Sequence, residues 1–417
     1  MKNTTSSASN MVNHSNHNIE RLDTRSHTPS MLQPIAKPIH QFSNRLYLTS
    51  TRFACILLLC LLVACKQDFR ISADCPPNCF GILMVGRDLK GVKLEGANLI
   101  KSSLTRANFN RANMSGANLT LATLEGSQFV GADFSNANLT GANLRNAVLI
   151  GTNFTGANLS GANLRGAVLT GAIFKQSNLI AASFDEARMI NINLEDQNLA
   201  GASFIQTDLS SSHFRNAILN GANFTSANLR HADLQNANLR GAVFKNTKAA
   251  AANFDGANLG GANLGSSELD GTLMRKTDLT GAKLVNATLT GAMLNDAILV
   301  NTNLAGAFFA GAGFQGADLS YSTFGQVMGD KDKNHFVTAS IKGVNFLGAK
   351  FNETNLAGQD LNGVVMANVD LRTAKLKAVY IINDKLVEKS VNLDGVVYNE
   401  NTLFPDGFQP KNAAEKQ

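Results

Sequence analysis

Leucine, phenylalanine or methionine recurs at every fifth residue from Leu89 to Phe324. Of the 48 positions in this series, 47 carry one of these three residues, and the exception is Ala249. A helix turns about 100° per residue, so a five-residue spacing would scatter the side chains around all of its faces. A straight strand fails as well, because five is odd and side chains alternate between the two faces. The series therefore requires a backbone that turns a corner once every five residues.

A small residue, most often alanine, stands two positions before nearly every large one, and the residue between the two is often Asn or Asp. In a short extended segment the small and the large side chain then point inward, and the residue between them points outward. The other two residues form the corner, where glycine is frequent, as at Gly96, Gly116 and Gly161. Glycine suits such turns because it has no Cβ. The pattern predicts a solid interior without a channel or ligand cavity.

A second period of twenty residues indicates how many sides close one turn. Every twentieth position from Leu99 to Leu319 is leucine, and the 14 phenylalanines of the five-residue series fall in the other three classes. Similar residues that recur every twenty positions indicate four sides per turn. Phe184, Phe204 and Phe224 are therefore expected to stack on one wall, about 5 Å apart.

The repeated motif, as in Ala117-Asn118-Leu119 and Ala132-Asp133-Phe134, resembles that of the pentapeptide-repeat family. Members of that family fold as a right-handed quadrilateral β-helix, so the resemblance implies an all-β fold of this kind. In such a solenoid each turn contacts only its neighbours, and stability accumulates turn by turn. The resemblance says little about activity, because members of the family differ widely in function.

A basic and then apolar segment precedes the repeats: Arg45 and Arg52 are followed by twelve apolar residues, 53–64. This run is too short for a membrane-spanning helix and is typical of a signal-peptide core. It ends in Leu62-Val63-Ala64-Cys65, which resembles the lipobox of bacterial lipoproteins, in which the cysteine is lipidated. With Lys66 next, the resemblance implies, for a Gram-negative host, an outer-membrane lipoprotein that faces the periplasm or the cell surface. An uncleaved anchor in the inner membrane and a buried apolar strand are the alternatives.

Cys75 and Cys79 follow this segment and are four residues apart. Export would place them in an oxidising compartment, where a local disulfide is expected; two free thiols are the alternative. No second cysteine pair or histidine cluster follows in the sequence, so we predict no zinc site.

The five-residue series is interrupted at residues 325–340, resumes at Ile341 and continues to Ile381. We interpret the interruption as a surface loop that leaves a continuing solenoid. The stretch from Tyr398 to Phe408 resembles the segment that often closes pentapeptide-repeat chains, where it would cover the open edge of the last turn. The predicted organisation is a disordered extension with a signal peptide (1–64), a tether and N-terminal cap (65–85), the β-helix (86–324), the loop (325–340), further repeats (341–382), and a C-terminal cap and tail (383–417).

The chain lacks the His-Glu-x-x-His, Gly-Lys phosphate-loop and Gly-x-Ser-x-Gly motifs of common enzyme sites. We therefore predict that it is not an enzyme and has no catalytic residue, cofactor, metal or small-molecule substrate. The favoured function is a non-catalytic, exported, lipid-anchored scaffold or interaction rod at the cell envelope, with an unidentified protein partner.

Some pentapeptide-repeat proteins protect DNA gyrase by imitating DNA with an acidic rod, so a cytoplasmic, gyrase-binding DNA mimic is the alternative function. Residues 87–324 carry 18 Lys and Arg and 16 Asp and Glu, which is not an acidic surface. This balance is also too weakly basic to predict binding to nucleic acid.

Overall fold

The computed structural model describes residues 75–328, 335–382, 385–393, 396–406 and 414–415. These residues belong to one compact unit, 70–417; the other unit, 1–69, lies outside the described residues. The strands of the described chain, in order, are β1 (Gly325–Met328), β2 (His335–Thr338), β3 (Lys377–Ile382), β4 (Lys385–Ser390), β5 (Val397–Tyr398) and β6 (Ala414–Glu415).

Outside these strands the chain forms a coil whose sides are held together by single parallel β-bridges. Asn98 pairs with Asn78 on the turn before it and with Asn118 on the turn after it. The same offset of twenty residues recurs up to the pair of Asn303 with Thr323. Four five-residue sides therefore close each turn, which confirms the quadrilateral coil that the twenty-residue period predicts.

The corners of the coil are β-turns, and nearly all of them are closed by one backbone hydrogen bond. At one of these corners, the N–H of Ala97 donates to the carbonyl of Leu94 at 3.1 Å, and Gly96 between them has a φ of 63°. A positive φ at the third residue is the mark of a type II turn, which favours glycine or asparagine. Asn136 and His231 adopt the same conformation, with φ of 58° and 59°.

The large side chains fill the axis of the coil in columns. The rings of Phe184 and Phe204 stack with centroids 5.2 Å apart, and those of Phe204 and Phe224 with centroids 5.0 Å apart. This confirms the predicted stacking on one wall. Ala249 is fully buried, and its N–H donates to the carbonyl of Glu268 at 2.7 Å, so the coil passes through this position without a bulge.

The coil begins earlier than the sequence indicated, within the segment 65–85 that we assigned to a tether and cap. Leu83 already pairs with Ser103 on the next turn. Cys79 and Met84 occupy inward positions and are buried. The boundary was wrong because Cys79 does not match the Leu, Phe or Met pattern, although Met84 lies on the same five-residue series.

Two antiparallel hairpins interrupt the coil. In the first, β1 pairs with β2, with Gly325 opposite Thr338; in the second, β3 pairs with β4, with Lys377 opposite Ser390. Each hairpin replaces a two-residue corner. The β-bridge partners on neighbouring turns are therefore 32 residues apart there instead of twenty, as Phe308 and Ser340 are. The segment predicted as a loop is therefore a hairpin that projects from a continuing coil.

The second hairpin corrects our interpretation that the repeats continue through Ile381. Ile381 lies in β3 opposite Leu386, not on a side of the coil. Ile381 matched the five-residue series because residues 378–382 of β3 are all apolar or aromatic, so any position there would have matched. The coil resumes where Asn392 pairs with Asp360, so β4 (Lys385–Ser390) belongs to the hairpin and only later residues close the last turn.

Candidate interaction site

Of the three cysteines singled out in the sequence, two lie among the described residues and one does not. Cys65, the predicted lipidation site, lies outside the described residues. Cys75 and Cys79 are joined as a disulfide, with Cα atoms 5.0 Å apart, and both side chains are buried. Cys79 lies in the first turn of the coil, and its N–H donates to the carbonyl of Asn98 on the second turn at 2.9 Å, so the disulfide is bonded directly into the coil.

The outward Asn and Asp side chains have a structural role that we did not infer from the sequence. Oδ1 of Asn118 accepts a hydrogen bond from the N–H of Thr120 at 3.1 Å, and so caps the corner that follows it. Nδ2 of Asn108 donates to Oδ1 of Asp88 on the neighbouring turn at 2.9 Å. Asparagine placed two residues before a corner is the sequence signal for this turn motif.

The charged groups of the outer surface form exposed pairs. Arg275 contacts Asp255 at 2.6 Å across neighbouring turns, and the hydrogen bond between them raises the pKa of Arg275. The hydrogen bond from Arg372 lowers the pKa of the Asp370 carboxyl. Within the described ranges, no three His, Cys, Asp or Glu side chains come close enough together to hold a metal ion. The described residues also include no helix with the length and apolarity needed to cross a membrane.

One side of the coil departs from the regular ladder. On a regular side the large residue donates to a carbonyl of the next turn, as Phe154 does to Ile173 at 2.7 Å. Four of these hydrogen bonds between turns are missing from the described backbone hydrogen bonds around residues 171–176 and 193. A cleft of about 670 Å³ opens between the two turns here. The four N–H groups belong to Gly171, Phe174, Gln176 and Asn193.

Two large side chains stand at small positions on successive sides here, and one of them, Gln197, lines the cleft. From Ala97 to Ser322, every small position other than 192 and 197 is Ala, Ser or Thr, but Ile192 and Gln197 break this rule on successive sides. Ile192 is buried, and Oε1 of Gln197 accepts a hydrogen bond from the N–H of Ser177 at 3.1 Å. We attribute the opening to these two side chains, which hold neighbouring turns apart. Their departure from the small-residue pattern could have been read from the sequence.

The two hairpins form the other departure from the uniform coil. They leave the same corner, because Thr323 and Lys375, which precede them, lie on one wall with Asn355 between them. Nδ2 of Asn303 donates to Gln326 of the first hairpin at 2.7 Å, and Nδ2 of Asn355 donates to the hydroxyl of Tyr380 in the second at 2.9 Å. Both hairpins are therefore fixed to this wall, and β1 contacts β3.

The outer face of the second hairpin is partly apolar. Val379 and Leu386 are exposed there. Lys377 and Glu388 form an ion pair at 3.0 Å on the same face. We call these four residues the paired-hairpin surface. Exposed apolar side chains next to charged ones are common at protein interaction sites.

Sequence profiles of known families match most of the coil. Profiles described as pentapeptide repeats match residues 88–126, 127–166, 290–326 and 339–377, and a profile described as a pentapeptide repeat region matches 167–244 and 200–274. Together these segments cover more than half of the chain, so the chain belongs to the pentapeptide-repeat family. Proteins of this family form right-handed quadrilateral β-helices, which confirms the predicted fold class.

Several solved structures are similar to this chain. A pentapeptide repeat protein from the thylakoid lumen of Arabidopsis thaliana is 35% identical over 25% of this chain and 69% of its own, with a TM-score of 0.21. HetL, a pentapeptide repeat protein involved in heterocyst differentiation regulation in the cyanobacterium Nostoc sp. strain PCC 7120, is 28% identical over 69% of this chain and 95% of its own, with a TM-score of 0.17. QnrB1, a plasmid-mediated fluoroquinolone resistance protein, is 21% identical over 66% of this chain and 92% of its own, with a TM-score of 0.19. A comparison with curated proteins found no match.

Proposed function

We propose that this chain is an exported, lipid-anchored pentapeptide-repeat solenoid, a non-catalytic scaffold that binds a protein partner at the bacterial cell envelope. The observation that carries the proposal is the disulfide between Cys75 and Cys79 at the start of the coil. Disulfides form and persist mainly outside the reducing cytoplasm. The basic and apolar segment that ends at Cys65, ten residues upstream, supports the same location. Pentapeptide-repeat proteins are generally structural or interaction proteins without catalytic activity, which supports the scaffold role.

The paired-hairpin surface is the proposed site for the protein partner. The hairpins add nothing to the columns of the coil core, since the bridge between Asp360 and Asn392 resumes the ladder after the second one. The exposed apolar side chains of the second hairpin, Val379 and Leu386, are therefore not needed to fill the core of the coil.

The alternative of a cytoplasmic DNA mimic is less well supported. A mimic needs a continuous acidic surface, whereas residues 87–324 carry 18 basic and 16 acidic side chains. Several of the acidic groups are paired with arginine across neighbouring turns, as Asp233 is with Arg215 and Asp255 with Arg275.

Metabolic labelling with palmitate in a Gram-negative host tests the anchor. The wild-type protein should incorporate label, lose residues 1–64 and fractionate with the outer membrane. Cys65→Ala should incorporate none and stay full length. Cys60→Ala, in the same apolar run, is the matched control and should behave as the wild type. A wild-type protein that stays full length and unlabelled would show that the lipoprotein interpretation is wrong.

A photo-crosslinking residue at position 386 tests the partner site. Crosslinking in intact cells should capture a defined protein from Leu386, but not from Ile218, which is exposed on a wall of the regular coil. Replacing residues 377–390 with Asn-Gly should restore an ordinary corner, keep the circular dichroism of the coil and abolish the capture. Equal capture from both positions would argue against a specific site at the hairpins.

A further inference from the structure

Three exposed apolar side chains lie on the first turn of the coil. Phe80, Leu83 and Val85 are 64%, 72% and 53% exposed. Leu83 stands at an outward position of a wall on which Ser103 and Thr123 occupy the next two turns. Phe80 and Val85 lie at the corners on either side of that wall. The three residues therefore form one apolar patch at the N-terminal end of the coil, which we call the first-turn patch.

Positive charge is concentrated on the first two turns of the coil, the end that carries the first-turn patch. Residues 75–114 carry six Lys and Arg and two Asp and Glu, whereas residues 115–324 carry twelve and fourteen. The net charge is therefore +4 over the first two turns and −2 over the much longer segment that follows. Lys90, Lys93 and Lys101 are exposed, and none of the ion pairs among the described residues includes them.

Among the described residues, the backbone at this end of the coil has fewer hydrogen-bond partners than the next turn. On the second turn, the N–H of Ser103 donates to the carbonyl of Ile82 at 2.9 Å. On the first turn, the corresponding N–H of Leu83 donates to no carbonyl of the described residues. An environment that suits this edge must solvate backbone groups and accept apolar side chains, while attracting cations. The headgroup region of an anionic bilayer has all three properties.

We propose that the first-turn patch rests on the surface of an anionic phospholipid bilayer, with Phe80, Leu83 and Val85 at the boundary between headgroups and acyl chains. This inference rests on the proposed location at the cell envelope. Cys65 lies ten residues before Cys75, and ten extended residues span at most about 35 Å. An anchor at Cys65 therefore keeps the first turn within reach of the same membrane. The paired-hairpin surface, near the other end of the coil, then faces away from the lipid.

Tryptophan fluorescence tests this contact without background, because the chain contains no tryptophan. Leu83→Trp places a probe in the patch, and Tyr321→Trp places a control probe at an exposed corner twelve turns further along. Both full-length proteins are purified from host membranes and reconstituted in vesicles of phosphatidylethanolamine and phosphatidylglycerol, with or without brominated acyl chains. Palmitate incorporation is measured on the same samples.

Brominated lipid should reduce the emission of Leu83→Trp by about twofold or more and leave that of Tyr321→Trp unchanged. Replacing Lys90, Lys93 and Lys101 with Gln should weaken the quenching.

Vesicle-bound Leu83→Trp that is not quenched, or equal quenching at both positions, would overturn the proposal. If the emission of Leu83→Trp is unquenched and is already blue-shifted without vesicles, protein covers the patch, and this result too would overturn the proposal. Quenching in a protein without palmitate would support the patch while contradicting the proposed anchor, so the two failures are distinguishable.

Discussion

Ala249 leaves the column of large side chains between Leu229 and Leu269 without a large residue. The backbone ladder is intact here. The N–H of Leu229 donates to the carbonyl of Lys248 at 2.6 Å, and the N–H of Ala249 donates to the carbonyl of Glu268 at 2.7 Å. The chain therefore keeps its register here, and the alanine costs packing without changing the fold. The alternative of a bulge at this position does not agree with these hydrogen bonds.

Ala249→Leu should stabilise the coil by about 1–2 kcal/mol, because removing a buried leucine usually costs more than that and part of the loss should be recoverable. The measurement is the midpoint of urea denaturation. Ala252→Leu, at a small inward position three residues later, is the control and should lower the midpoint through overpacking. If Ala249→Leu leaves the midpoint unchanged or lowers it, neighbouring side chains already fill the space.

Corner residues are selected for backbone conformation. Gly161 has a φ of 64°, and a Cβ built there would meet no atom within 4 Å. Gly161→Ala should nevertheless destabilise the coil by about 1 kcal/mol, because a residue with Cβ is strained in the left-handed region. Ser160→Ala, at the preceding corner position with ordinary φ, should change the midpoint little. Equal effects of the two substitutions in denaturation experiments would contradict a conformational cause.

At the scale of elements, the interruption of the ladder and the two hairpins show where the repeat can vary. The hairpins extend a corner outward and leave the inward positions before and after it unchanged. Ile192 and Gln197 instead place large side chains at inward positions. The widened spacing between turns extends to the next side, where the hydrogen bond from the N–H of Leu179 to the carbonyl of Asn198 is 3.2 Å long. The corresponding bond from Leu159 to Asn178, one turn earlier, is 2.8 Å.

Ile192→Ala should close the cleft and restore hydrogen bonds between the two turns. The amides of Phe174, Gln176 and Asn193 should then exchange with solvent more slowly, as measured by hydrogen–deuterium exchange. Ala232→Ile, at the equivalent small position two turns later, is the reciprocal control and should open its own side of the coil. Fast exchange that persists in Ile192→Ala would assign the opening to Gln197.

At the scale of the whole molecule, a solenoid is a one-dimensional stack in which each turn is stabilised by the turns beside it. Within the described part of the chain, the first turn has one neighbouring turn, and the disulfide between Cys75 and Cys79 lies at its start. The end of the stack is therefore expected to open before its middle.

The double variant Cys75→Ser with Cys79→Ser should increase hydrogen exchange at the amides of Met84 and Leu89 on the first turn. The main unfolding midpoint should stay within experimental error, because the central turns keep both neighbours. Cys55→Ser with Cys60→Ser, which replaces two cysteines upstream of the coil, is the control and should change neither quantity. A large fall of the main midpoint in the first variant would indicate that the coil unfolds as one cooperative unit.

The sequence by itself determined the repeat architecture, since a large residue at every fifth position can point inward only if the backbone turns a corner every five residues. The recurrence of similar residues every twenty positions then indicated four corners per turn. It also indicated the stacking of Phe184 on Phe204 and the cysteine pair at the start of the coil. These features are local: each depends on spacing along the chain, and the same solution repeats at every turn.

Only the tertiary structure decided which positions depart from that repetition. The placement of Ile381 in a hairpin, the early start of the coil at Asn78 and the opening beside Ile192 depend on which turn lies above or below each residue. The spacing of apolar residues does not distinguish a coil side from a hairpin strand, because both alternate inward and outward side chains. Hydrogen bonds between turns decide between them, and these join residues twenty or more positions apart, where a local pattern carries no information about the partner.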